Sequence, residues 1–241
     1  MEREFEMNPT EKSLVDLYRG LQFESDPVCR KCRACSPALG RPVGAWVVGD
    51  KFYRHTERVL FVGKTARGEP GEDCGGFLAG FRDARERLWS RPWPYWSYTR
   101  EIVRKLYGDD SMEHIAFTNL VKCNASNGGD LTAEETKRFC VCERNVIGKE
   151  IALIEPTHVV FYTSWNYDQV IPKIFDRFQV TVDTKRSIGE KRMPWREARA
   201  ETGGREICVL RIGHPERMKR ESFTDAVCGW VRTADGALEG R

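Results

Sequence analysis

The hydrophobic positions fall into short apolar runs separated by stretches of helical spacing. Arg58-Val59-Leu60-Phe61-Val62-Gly63, Ile115 to Val121, His158 to Thr163 and Ile207 to Ile212 are compact apolar runs, the pattern of strands covered on both faces. Trp46-Val47-Val48-Gly49 is a shorter run of the same kind. Residues 9–21 carry Leu14, Leu17 and Leu21 behind Asn8-Pro9-Thr10-Glu11 and predict a capped helix. Helical spacing returns over 77–89, 98–107 and 132–154, the last opening with Thr132 and Glu135 at S/T-x-x-E spacing. Such alternation predicts an α/β fold, a three-layer α/β/α sandwich around a mainly parallel sheet. Residues 183–206 are polar, hold Gly189, Gly203 and Gly204, and show little periodicity, so they read as a polar insertion looping out of one domain spanning 1–241.

Composition narrows the class. With 40% hydrophobic and 31% charged residues the chain can bury a core under a wet surface. A net charge of +3 does not announce a nucleic-acid binder, but basic residues cluster at 30–33, 82–91, 185–205 and 211–220. The chain has no apolar run of membrane-spanning length, and its opening residues lack the pattern of a signal peptide. The expectation is a cytoplasmic monomer with no membrane partner. In that reducing compartment nine cysteines point to metal ligation or apolar packing rather than disulfides.

Spacing among the cysteines favours ligation. Cys29, Cys32 and Cys35 form two overlapping C-x-x-C units within a cysteine-rich segment of about 22–45, and Cys123, Cys140 and Cys142 offer the remaining ligands. On spacing alone this suits zinc and iron-sulfur equally.

Three further strings carry a family resemblance. Thr118-Asn119-Leu120-Val121-Lys122-Cys123, then Glu134-Glu135 and Cys140, resembles the T-N-A-V-K-C…E-E…C signature of the iron-sulfur uracil-DNA glycosylases usually called family 4. Their opening C-x-x-C-R is similar to Cys29 to Arg33, and Gly213-His214-Pro215 resembles their H-P-S motif. The interval from Cys123 to Cys140 is one residue longer than the usual spacing of that family. Their catalytic loop G-E-A-P-G…E-D…G-x-P-F-x-G is matched loosely by Gly63 to Gly80, where Lys64 replaces the first acid.

The resemblance implies a 4Fe-4S cluster held by Cys29, Cys32, Cys123 and Cys140, with Cys35 or Cys142 as substitutes. It implies a DNA glycosylase that flips a uracil or otherwise modified pyrimidine from the duplex and hydrolyses its N-glycosidic bond. Phe77 would stack on the base, Asn119 would read its Watson-Crick edge with Lys64 and Thr65 beside it, and His214 would stabilise the departing anion. With Lys64 in place of the acid, Glu69, Glu72 and Asp73 are the candidate catalytic carboxylates, Glu72 and Asp73 foremost. Arg217, Met218, Lys219 and Arg220 would contact DNA, Met218 or Arg217 filling the vacated stack. Two alternatives stay open: an antiphage glycosylase removing a bulky base such as glucosylated hydroxymethylcytosine, and a catalytically inactive DNA-binding module, which a cation near the sugar favours.

Overall fold

The computed structural model describes residues 7–43, 46–67, 71–79, 81–125 and 132–234; side chains at 77, 79, 81–84 and 217 lie outside the described set. Helix α1 (Pro9–Gly20) starts as the sequence predicts: Asn8 Oδ1 accepts from Glu11 N at 2.9 Å, and the Glu11 carboxylate accepts from Asn8 N at 3.2 Å. The cysteine-rich segment is a helix, α2 (Pro27–Cys35), rather than a turn, because Asp26 caps it through Cys29 N at 2.9 Å and Pro27 opens it.

One mixed sheet organises the chain. Strands β1 (Val47–Val48), β2 (Val59–Thr65), β3 (Ala116–Val121), β4 (His158–Phe161), β5 (Arg177–Ile188), β6 (Lys191–Thr202) and β7 (Arg205–Ile212) lie in the order β1-β3-β2-β4-β7-β6-β5. The central four, β3, β2, β4 and β7, run parallel, and their residues are almost wholly buried. Both margins are antiparallel, β1 on β3 at one and β6 on β7 and β5 on β6 at the other. The expected parallel sheet is therefore only the centre of the real one.

The correction lies at 183–206. Instead of a loop, these residues form most of a long hairpin, twelve residues in each strand, continuing the sheet beyond β7. Strand β5 is exposed along nearly its whole length, so it carries no apolar alternation to read. In β6 the alternation exists, as Met193, Trp195, Ala198, Ala200 and Thr202 are buried, but it slips one residue where the register shifts opposite Val180 and Val182.

Helices α3 (Cys74–Ala79), α4 (Phe81–Ser90) and α5 (Pro94–Tyr107) connect β2 to β3. The expected single helix over 132–154 is also corrected. Helix α6 (Glu134–Lys137) widens into a π turn over Arg138–Glu143, closed by Arg144 N bonding to Phe139 O at 2.9 Å. Asn145, at φ 42°, then caps α7 (Val146–Ile154). Thr132 caps nothing; its hydroxyl bonds instead with Thr65 Oγ1 and Tyr167 Oη, both at 2.9 Å. Helix α8 (Arg220–Ala234) packs against α5 and closes the chain's described part. No helix among the described residues is long and apolar enough to cross a membrane.

His158, the first residue of β4, is fully buried, with Nδ1 2.9 Å from Thr157 Oγ1 and its ring against the edge of Trp230. Burial, aided by the nearby Arg199 cation, holds its imidazole down at about 4. The unfolded chain then binds a proton near pH 6.5 that the folded one refuses. Its contribution is fully present above that pH and is lost as pH falls toward 4. Urea denaturation at pH 7 and pH 4.5 should show a drop in stability that His158→Gln reduces by roughly 2 kcal/mol.

Candidate functional site

Alternation along β3 sorts its side chains to two faces. Thr118 faces a buried polar network, and Phe117 and Asn119 face a cavity of about 310 Å³ at the carboxyl ends of the parallel strands. This is where open α/β sheets place ligands. Gly63, Lys64 and Thr65 reach the cavity from the end of β2, Tyr162 from the end of β4, and His214 from beyond β7. The first turn of α5 adds Pro94, Tyr95 and Trp96.

Asn119 and His214, placed on separate strands by sequence motifs, thus line one cavity together with Lys64 and Thr65. Asn119 is only 6% exposed. Its position requires Gly63, its register partner on β2: a Cβ at residue 63 would stand 2.4 Å from Asn119 Oδ1. His214 Nδ1 lies 3.4 Å from Glu216 N and 3.8 Å from Glu216 Oε2; in the tautomer whose Nδ1 accepts from that N–H, Nε2 carries the proton and is the donor. Lys64 makes no ion pair among the described residues, so its charge is available to whatever enters.

The walls are aromatic. Tyr95 packs edge-on against Phe117 (5.7 Å), Tyr162 (5.0 Å) and Trp96 (4.8 Å). Its hydroxyl is buried and has no hydrogen-bond partner among the described residues. Trp93 is 39% exposed at the rim, with the Arg91 guanidinium 4.4 Å over its ring. The Tyr95 hydroxyl carries no motif in the sequence; Pro94, which opens α5, is the signal that a helix starts here.

Glu72 and Asp73 stand elsewhere. Glu72 is paired with Arg87 at 3.1 Å, while Asp73 accepts from Gly76 N at 2.9 Å within the first turn of α3 and meets Arg41 at 3.4 Å. The Gly76 N–H and Arg41 hold the Asp73 carboxyl below its ordinary range. Neither lines the cavity, and Glu69 lies outside the described residues; among those described, the carboxylate that lines it is Glu216, with Oε2 3.8 Å from His214 Nδ1. It sits two residues past the histidine, a position overlooked in the sequence. The Phe77 side chain lies outside the described residues.

Of the segment after His214, residues 215–217 form a single tight turn. Met218 packs partly against the core and its carbonyl accepts from Tyr98 Oη at 2.5 Å, whereas Lys219 and Arg220 are exposed. The Arg217 side chain is outside the described set.

A second cluster lies behind β3. Cys29, Cys32, Cys123 and Cys140 line one void of about 20 Å³ with Phe23, Val28, Phe139 and Val146, and the cations Arg33, Lys122 and Arg144 adjoin it. Cys35 and Cys142 are not part of it. Segment 40–43 ties this cluster to the strand, with Val43 N bonding Lys122 O at 2.9 Å and Pro42 bridged to Cys123. Burial raises all four thiols, Cys29 to about 12 and Cys140 to about 11. Among the described residues no three His, Cys, Asp or Glu side chains are arranged around a single metal ion.

Gly63→Ala should displace the Asn119 amide while leaving the hydrophobic core untouched. Loss of ligand binding or turnover by at least about tenfold, with a melting temperature within a few degrees of wild type, is the expected result.

Compared with known proteins, the chain matches no family model, no curated protein and no solved structure.

Proposed function

We propose that the chain is a DNA glycosylase acting on a modified pyrimidine carrying a polar substituent. The observation that carries this reading is the joint presence of the Asn119 amide and the His214 Nε2 donor on one aromatic-walled cavity. An amide presents a donor and an acceptor side by side, which matches the N3 and 4-position groups of a pyrimidine. Aromatic walls receive an extruded base in place of its stacking neighbours.

The chemistry follows from these groups. As the N-glycosidic bond breaks, its electron pair leaves with the base and positive charge develops on the sugar. His214 Nε2–H donates to the base O2 and stabilises that anion. Water then adds to the sugar carbon, its hydroxyl completing an abasic site and its proton going to the base. Glu216 is the carboxylate positioned at the cavity to orient that water. A buried, unpartnered hydroxyl is costly, so Tyr95 favours a base whose exocyclic substituent hydrogen-bonds to it. Lys64, without an ion pair among the described residues, opposes the sugar cation and favours the second reading, a DNA reader that binds a flipped base without cutting.

Duplexes bearing uracil, hypoxanthine, hydroxymethylcytosine or glucosylated hydroxymethylcytosine, treated with the protein and then alkali, decide between them. Strand breaks at a modified pyrimidine are expected. His214→Ala should slow cleavage at least about a hundredfold with little change in binding, whereas Asn119→Ala should alter which base is chosen. Lesion-specific binding without any break would establish the reader instead.

We further infer that Cys29, Cys32, Cys123 and Cys140 hold an iron-sulfur cluster. The donor set is all thiol and the walls are apolar. Such a cluster ties α2 to the end of β3 and supplies no step of the chemistry. Protein purified without oxygen should be brown, absorbing near ~400 nm. Cys140→Ala should lose that absorbance and Cys142→Ala keep it; a colourless wild type containing zinc would refute the assignment.

A further inference from the structure

The β5–β6 hairpin has no part in the cavity, yet its tip is among the most cationic stretches of the surface. Lys185, Arg186, Lys191 and Arg192 stand there, exposed, against the single acid Glu190. Lys185, Arg186 and Arg192 make no ion pair with a carboxylate among the described residues. Arg186 lies 4.5 Å over the Trp195 ring, and Arg192 Nη2 approaches Lys185 O at 3.5 Å. The other end of the same hairpin is different: Arg177 is paired with Glu201 at 3.5 Å.

The tip is also beside the cavity. Strand β6 pairs with β7 so that Trp195 faces Ile212, and the Met193 side chain lies against Gly213, the residue before His214. At the turn, Gly189 lies against the Ser222 hydroxyl in the first turn of α8. That turn begins at Arg220, next to exposed Lys219. Two elements far apart in sequence thus bring their cations to one side of the His214 mouth.

We propose that the hairpin is a DNA-backbone arm, its tip cations binding phosphates flanking the nucleotide presented to the cavity. The proposal rests on the DNA-directed reading of that cavity. A two-stranded ribbon holds its charges at a set distance from the mouth, and Lys185, Arg186 and Arg192, which make no ion pair with a carboxylate among the described residues, gain most from phosphate, because no existing pair must break. The contact reads no sequence; it positions the duplex.

The test uses the full chain and a fluorescein-labelled duplex of random sequence without any modified base, titrated over a series of salt concentrations. Replacing Lys185, Arg186, Lys191 and Arg192 together by Gln should make the slope of log affinity against log salt shallower by about 3 to 4, and weaken binding at least about tenfold near ~0.15 M salt. The double variant Lys185→Gln with Arg192→Gln, which leaves Arg186 on Trp195, should lose about 2 of that slope and guards against a folding defect in the quadruple one. Arg177→Gln, at the remote end, should bind as wild type. If wild type binds duplex and both tip variants keep its slope and affinity, the arm is refuted while the DNA reading stands. If wild type binds no duplex at any salt, both fall together.

Discussion

A buried ion pair fixes the strand on which both centres depend. Lys122 Nζ lies 2.6 Å from Glu150 Oε2, and both side chains are essentially inaccessible to solvent. Glu150 also accepts from Tyr18 Oη at 2.5 Å and Thr118 Oγ1 at 2.8 Å, while Lys122 donates to Thr118 Oγ1 and to the carbonyl of Asn119. The network joins α1, β3 and α7 through polar atoms alone. Pairs of this kind add little net stability over apolar packing, but leaving one charge behind costs about 3–5 kcal/mol. Directionality is what they contribute: every donor and acceptor has a fixed place, so β3 has one rotation and one register against the helices behind it.

That fixed strand divides its work by parity and position. Asn119 points to the cavity, Thr118 to the ion pair, and Cys123, just past Lys122, joins the thiols. The two centres are thus coupled through six consecutive residues. Gly63 completes the arrangement from the neighbouring strand, its missing side chain giving the Asn119 amide room.

Much of this was legible in the sequence, for identifiable reasons. The four buried strands announced themselves because strands covered on both faces are continuously apolar, and α1 because Asn8 and Glu11 form a reciprocal cap. The convergence of Asn119 with His214 followed from motif positions at strand ends. The hairpin was hidden because β5 buries almost nothing and the bulge breaks the alternation in β6. Glu72 and Asp73 were candidates by resemblance to the acidic pair of a catalytic loop, but an arginine partner and a helix cap engage them, and such partners depend on tertiary contacts that spacing does not encode. Tyr95 was hidden because no motif marks it; only the helix that Pro94 opens brings it to the cavity.

The π turn between α6 and α7 has a meaning for how such a chain tolerates change in length. An inserted residue in an α-helix normally rotates everything beyond it by about 100°. A π turn absorbs one residue locally, as a bulge, and lets the flanking segments keep their orientation. Cys140 lies inside that bulge and lines one void with Cys29, Cys32 and Cys123. Removing one residue from this wide turn ahead of Cys140 would restore ordinary helix and swing the thiol away from its neighbours, so the length of chain leading to the thiols is set by the bulge.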